Sequence, residues 1–475
     1  MKLAAQVIAG LTWGHRHTDA TTSLLAHYSF DVRLRFTLTT ACTVALPVLT
    51  DNRWLRLLAF AGLYAAQGLP WGVFIVAIPT WLAGQGHSAT EVGLFIAIVT
   101  LPWTFKLFSG PVMDRFTFPS LGRRRPWVII AQLVIVAGSL LLAAGENHFI
   151  WLLVVGIIVN VGAAIQDVAV DGMAIDILPE SERARANSFM YGGQVFGISG
   201  SSAGGAYLLS NYGVGVTGFI LALTIAIIAL IPIFLRERPG EKLLPWTEGN
   251  ALERTLEMQE TRWRTIFVDL FKVVVLPMSL LLIFIKIGDR TAVGILTAAF
   301  PIITTQELGH PETFYPEWNA LAGIFAAVFG ILIAPIIDWL NAHRALLIGL
   351  TMKVIALTSI GLTVDYWSND RVMISVLFLI AFISQWLTIA SISLFMHLCA
   401  IKVSASQFAI YMAASNLALS MGSSLFGPLD SWLDYNELIY MVALIDLFAL
   451  TALLFFNLER HQKRLAALGP GFAGN

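Results

Sequence analysis

Charge is scarce in this chain: only 12% of its 475 residues are Asp, Glu, Lys or Arg, about half the share in a soluble domain. That excludes an ordinary soluble globular protein. With 57% hydrophobic residues, it leaves a polytopic membrane protein. Cysteine is scarcer still. Cys42 and Cys399 are the only two, too few for a disulfide framework or a thiolate metal site, so both read as packing residues and no metal is expected. HExxH, GxSxG and Walker-type GxxxxGK[ST] motifs are also missing. The chain is therefore read as not an enzyme, with no cofactor and no nucleic-acid partner. Energy would come from an ion or solute gradient rather than from ATP.

Long apolar runs are plentiful. At roughly 20 apolar residues per bilayer crossing, twelve spans are expected: 54–83, 90–110, 127–145, 149–177, 186–210, 215–235, 273–304, 318–340, 345–364, 372–399, 405–429 and 437–457. The fold class is an all-α membrane protein. Basic residues sort to one side: Arg115, Arg123, Arg124, Arg125, Arg183, Arg185, Arg344, Lys402, the 236–272 connector, and Arg460, Lys463 and Arg464 in the tail. The opposite links carry only Arg371. By the positive-inside rule both termini and the connector are cytoplasmic. The expected organisation is an N-terminal cytoplasmic extension (1–53), a six-helix bundle (54–235), a solvated linker (236–272) that includes a surface helix over 248–264, a second six-helix bundle (273–457) and a cytoplasmic tail (458–475).

The halves resemble each other. GPVMDRFTFPSLGRRRPW (110–127) recurs in part as APIIDWLNAHR (334–344), where Pro335 and Asp338 repeat the spacing of Pro111 and Asp114. Gln166 aligns with Gln385, Tyr191 with Tyr411, and GISGSSAGG (197–205) with LALSMGSSLFG (417–427). Duplicated halves with a midplane site are a transporter architecture. Gly192, Gly193, Gly197, Gly200, Gly204 and Gly205 permit close helix packing.

Within the spans stand Lys106, Asp167, Asp171, Lys286, Asp289, Arg290, Lys353, His397 and Asp446. A charge at a helix centre costs about 2.5–3.5 kcal/mol on insertion scales, which marks these positions as functional or mutually paired. Asp167 and Asp171 share one helix face. Each raises the other's proton affinity, which makes them proton-coupling candidates; the alternative is that they neutralise Lys106 and the basic loop. Lys286 and Arg290 also share a face, with Asp289 between them. They lie roughly 20 Å into the bilayer at about 1.5 Å per residue, a net positive surface suited to an anionic solute. Gln67 and Trp71, at a kink expected in QGLPWG, with Gln166, Tyr191, Gln194, Gln385, Trp386, Tyr411 and Asn416, complete the candidate substrate contacts.

Four motifs resemble one group of proteins: QGLPWG (67–72), WTFKLFSGPVMDR (103–115), IQDVAVDGMAIDIL (165–178) and IKIGDR (285–290). Together with the GRRR loop, they are similar to the peptide–acetyl-coenzyme A–drug transporter branch of the major facilitator superfamily, and to AmpG-type muropeptide permeases in particular. The resemblance covers about residues 54–458. It implies a two-bundle fold of twelve helices and proton-driven import of an anhydromuropeptide through the bacterial inner membrane. It also implies gating by Asp114 with Arg115, Arg123, Arg124, Arg125 and Asp338. Asp171 takes the helix-four aspartate position, and Lys286 and Asp289 the K-x-G-D positions. The chain departs from the pattern at Arg290, at Trp339 and in residues 1–53. The expected partners are the lipid bilayer, a small-molecule substrate and protons, with the chain monomeric. The alternatives are a transporter of another solute, such as a coenzyme A ester or a drug, and a transporter-like sensor.

Overall fold

In the computed structural model, residues 48–116, 118, 120–145, 148–179, 182–250, 263–400 and 403–469 are described. The side chains of Asp114, Arg183, Ala184, residues 263–266, Asp338, Ser404 and Ala405 lie outside the description, as do Cys42, the extension before residue 48 and most of the expected 248–264 helix. Among the described residues the regular elements are helices, with isolated β-bridges joining Val48 to Arg236 and Phe118 to Gly122.

Asn52 caps the first helix by accepting from the Leu55 amide at 3.0 Å. That helix, α1 (Arg53–Trp71), passes through Pro70 into a π-helical segment, Gly72–Ala77, and continues as α2 (Ile78–Gly84). A proline removes an amide donor from the ladder and bends the helix, so the interruption falls where QGLPWG suggested a kink. Ser88 and Glu91 form a capping box that starts α3 (Ala89–Thr100), which leads into α4 (Pro102–Arg115). Next come α5 (Arg125–Ala144), α6 (Phe149–Ile177) and α7 (Arg183–Phe234). The connector yields α8 (Trp263–Val274), bent by 75° from the next helix. The second half then contributes α9 (Pro277–Ile302), a π segment (Ile303–Glu307), α10 (Phe314–Leu340), α11 (Ala342–Gly361), α12 (Asp370–Leu398), α13 (Ser404–Asp430), α14 (Tyr435–Leu453) and the short α15 (Leu458–Ala467). The sequence α-helix, proline, π segment thus occurs twice, after Pro70 and after Pro301. This repeat reinforces the duplication read from residues 110–127 and 334–344.

Among the described residues, nine helices are long and apolar enough to cross a membrane, or ten if the bent pair counts as one span. The count differs from twelve for identifiable reasons. The expected spans 186–210 and 215–235 run together in α7, where Gly213, at φ 80° and ψ 179°, breaks the helical geometry. The span expected over 405–429 corresponds to α13, whose serines, Gln407 and Asn416 dilute its hydropathy.

Helices α1 and α7 pack backbone to backbone. A Cβ added at Gly193 would collide with the carbonyl of Ala61, and one at Gly197 with that of Ala65. Gly192, Gly200 and Gly204 have open space beside them, so only part of the glycine-rich run performs the packing expected of it. Gly193→Val cannot be absorbed by a rotamer change, because the obstacle is backbone. It is expected to cost at least about 1–3 kcal/mol, visible as a lowered melting temperature in detergent, whereas Gly200→Ala leaves the melt unchanged.

Candidate functional site

One end of the bundle is built on the GRRR loop. Glu237, just past α7, accepts from the backbone amides of Arg123 (3.2 Å), Arg124 (2.9 Å) and Arg125 (2.5 Å). An anion at a helix N-terminus is electrostatically favoured, and here the carboxylate caps α5. The Arg125 guanidinium donates to the carbonyls of Pro232, Ile233, Lys242 and Leu243, tying α5 to the last turn of α7. Arg123 and Arg124 hold Asp176 of α6 at 3.1 and 3.6 Å. Arg56 binds Glu182 at 2.5 Å and the carbonyls of Leu49 and Thr50, which fixes residues 48–52 of the expected extension; Arg115 is exposed.

The start of the linker is therefore not the solvated segment its composition suggested: Glu237 and Glu241 are fully buried. Burial and the neighbouring Glu237 carboxylate push the Glu241 carboxyl up to about 7. Between the ordinary value of 4.5 and about 7, the folded chain holds a proton that the unfolded chain releases, so stability falls as pH rises through that window and levels off above it. Glu241→Gln should flatten this slope and gain about 1–3 kcal/mol above neutral pH, as read from melting curves across that range.

Deeper in the bundle, the charges predicted from sequence sort into two clusters. In the first, Lys106 Nζ of α4 sits 2.7 Å from Asp167 Oδ2 of α6, and Gln67 Nε2 of α1 donates to Asp167 Oδ1 at 2.5 Å. Asp171, one turn further along, instead accepts from the Tyr64 hydroxyl and is exposed although it lies within a span. Lys106 also lies 5.7 Å from the centre of the Trp103 ring, against which Trp71 packs edge-on at 5.3 Å. Gln166 donates to the Leu63 carbonyl at 2.7 Å and serves helix packing.

In the second cluster, Lys286 Nζ of α9 binds Asp289 Oδ2 at 2.7 Å and Ser391 Oγ of α12 at 3.1 Å. Lys353 of α11 reaches Asp289 Oδ1 at 2.8 Å and Asp446 of α14 at 3.0 Å. The half-buried Arg290 side chain makes no hydrogen bond or ion pair among the described residues. Lys353 and Asp446 were visible in the sequence as ionisable groups within spans but had no assigned role. Tyr64 was missed; its one signal is its place a turn before Gln67 and two before Trp71.

Some candidates link the halves and others do not. Tyr191 of α7 donates to Gln385 of α12 at 2.5 Å, and Asn416 of α13 to the Trp103 carbonyl at 3.1 Å. Trp386 is buried and donates to the Ala345 carbonyl, while Tyr411 is fully buried between Ser279 and Gln407. Both therefore make hydrogen bonds within the second-half helices. The Gln194 carbonyl presses against Gly68. At the end remote from Arg123, further hydrogen bonds join the halves among the described residues. Gln306 donates to the carbonyls of Ala83 and His87, both at 2.8 Å, and Glu312 accepts from Gln85 (3.0 Å) and Ser210 (3.2 Å).

Long apolar helices that pair charges within their spans define a multi-pass membrane transporter that takes a small-molecule substrate. The chain belongs to the Major Facilitator Superfamily, whose family model matches residues 60–423. It is 27% identical over 292 residues to the anhydromuropeptide permease of Escherichia coli (strain K12), a match covering 60% of this chain and 55% of the permease. The chain thus spans about half the length of that curated relative. Among solved structures, it is similar to a POT family transporter in complex with a thioalcohol-conjugated peptide (TM-score 0.63, 12% identity, 85% of this chain and 96% of that one). It is similar also to a D-xylose–proton symporter (TM-score 0.63, 15% identity, 85% and 97%). At these identities the structural likenesses speak to the fold alone.

Proposed function

We propose that the chain is a proton-coupled secondary transporter that imports a peptidoglycan-derived muropeptide, or a related anionic solute, across the bacterial inner membrane by alternating access. The observation that carries this reading is the pair of opposed charge clusters, acidic on α6 and basic on α9, in a chain related to a muropeptide permease. Asp171 is the proton-coupling candidate, because Lys106 already engages Asp167. In this reading twelve spans form two six-helix bundles (54–235 and 273–457), both termini are cytoplasmic, and the chain works as a monomer. The hydrogen bonding through Gln306 and Glu312 then closes the periplasmic end, which corresponds to an inward-facing state. Asp114, Asp338 and the arginine loop remain the candidates for the cytoplasmic gate.

The test is uptake of labelled N-acetylglucosaminyl-anhydromuramyl peptide by proteoliposomes, with and without an inward proton gradient. Gradient-dependent accumulation supports the reading. Accumulation of a coenzyme A ester or a drug instead replaces the substrate, and binding without accumulation identifies a sensor.

A further inference from the structure

The charges within the spans do not balance within either half, and the residues left over are of opposite sign. In the first half, Lys106 neutralises Asp167 at 2.7 Å, and Asp171 remains with a phenol as its partner. Asp171 is faced by Tyr64 from α1, by Lys106 from α4 and by Asp167 on its own helix, with Arg124 packed beside the adjacent Gly172. In the second half, Lys286, Arg290 and Lys353 stand against Asp289 and Asp446. Both lysines are bound to carboxylates, so the surplus cation is Arg290. It lies near the middle of α9, half-buried; among the described residues its side chain makes no hydrogen bond or close ion pair, and the one carboxylate acting on it, Asp289, is already held by both lysines. A guanidinium offers a planar fork of donors that fits a carboxylate or phosphate two bonds at a time. A charge compensated only in part inside a bundle is costly, and an anionic ligand would complete it.

On the transport reading above, we propose that Arg290 receives one carboxylate or phosphate of the solute while Asp171 receives one proton, so that the carrier changes state only when both are bound or neither is. With neither bound, the two surplus charges sum to zero; with both bound, each is neutralised. Anion without proton leaves the centre one charge negative, and proton without anion leaves it one charge positive. Either half-loaded state must carry a net charge through the closed bundle, which holds it back. One proton then accompanies each anionic group seated at Arg290, and the coupling follows from charge balance without any direct contact between Arg290 and Asp171.

The test uses the purified full-length chain and three probes: the free-acid anhydromuramyl peptide, the same compound with its carboxylates amidated, and acetyl-coenzyme A. Wild type should bind the free acid at least about tenfold more tightly than the amide, and Arg290→Gln should remove that preference while leaving amide binding unchanged. Arg290→Lys should restore part of it. Because no described protein group relies on Arg290, both variants should elute as folded monodisperse protein. In proteoliposomes, Asp171→Asn should retain counterflow and lose accumulation driven by the proton gradient. Equal wild-type affinity for acid and amide, or an equal loss of both in Arg290→Gln, overturns the inference and leaves the muropeptide reading intact. Arg290-dependent binding of acetyl-coenzyme A, with none of the muropeptide, upholds the inference and overturns that substrate. If none of the anionic probes binds wild type, both fall.

Discussion

Lys106→Met is expected to lower stability by about 3–5 kcal/mol and to abolish uptake, because it strands the buried Asp167 carboxylate with only the Gln67 amide as a donor. The effect belongs to the broken pair rather than to lysine as such. Lys106→Met combined with Asp167→Asn should therefore recover most of the melting temperature, since an amide can remain hydrogen-bonded to Gln67 without a counter-charge. Uptake provides the sharper discrimination. If Asp171 is the acid that couples transport to protons, the double variant retains the surplus carboxylate and regains gradient-driven uptake. If Asp167 is that acid, the double variant folds and accumulates nothing. Melting curves and proteoliposome uptake on the same three preparations decide the matter.

Lys353→Met should have a comparable effect, again about 3–5 kcal/mol, from the opposite arrangement. One ammonium there serves two carboxylates on different helices, and Asp446 is fully buried. Asp289 keeps Lys286 when Lys353 is lost, whereas Asp446 keeps no cation, so the damage should concentrate on α14. Lys353→Met with Asp446→Asn is accordingly expected to restore more than half of the lost stability, while Lys353→Met with Asp289→Asn restores little. Equal rescue by the two partners would show that the lysine serves both carboxylates equally.

Both expectations depend on pairings that the sequence conveys only in part. Apolar length gave the all-helical membrane class, and the repeated Pro–Asp spacing gave the duplication, because each is a local signal. Asp167 and Asp171 were recognisable as a face of one helix from their four-residue separation. Which of them meets Lys106 depends on how α4 tilts against α6, and spacing carries no information on that. The link from Lys353 to Asp446 crosses 93 residues and joins helices whose adjacency is a matter of fold. Glu237 illustrates a different failure. Composition treats a charged stretch between spans as solvated, yet three backbone amides at the start of α5 compensate its burial. Tyr411 and Trp386 suit either ligand contact or helix packing as aromatic residues in a span, and spacing alone conveys nothing of their hydrogen bonds to Ser279 and Ala345.

The Glu237 cap also determines where the polypeptide can be divided. A two-piece version with its break at residue 236 would strip α5 of the carboxylate that holds its first amides. It would also strip Arg125 of the carbonyls of Lys242 and Leu243. Thr247 closes that segment by accepting from the amides of Leu243 and Leu244 at 2.9 and 3.0 Å. Co-expressed fragments divided after Thr247 should therefore assemble where fragments divided at residue 236 do not, and a reporter inserted between the halves belongs beyond the same threonine.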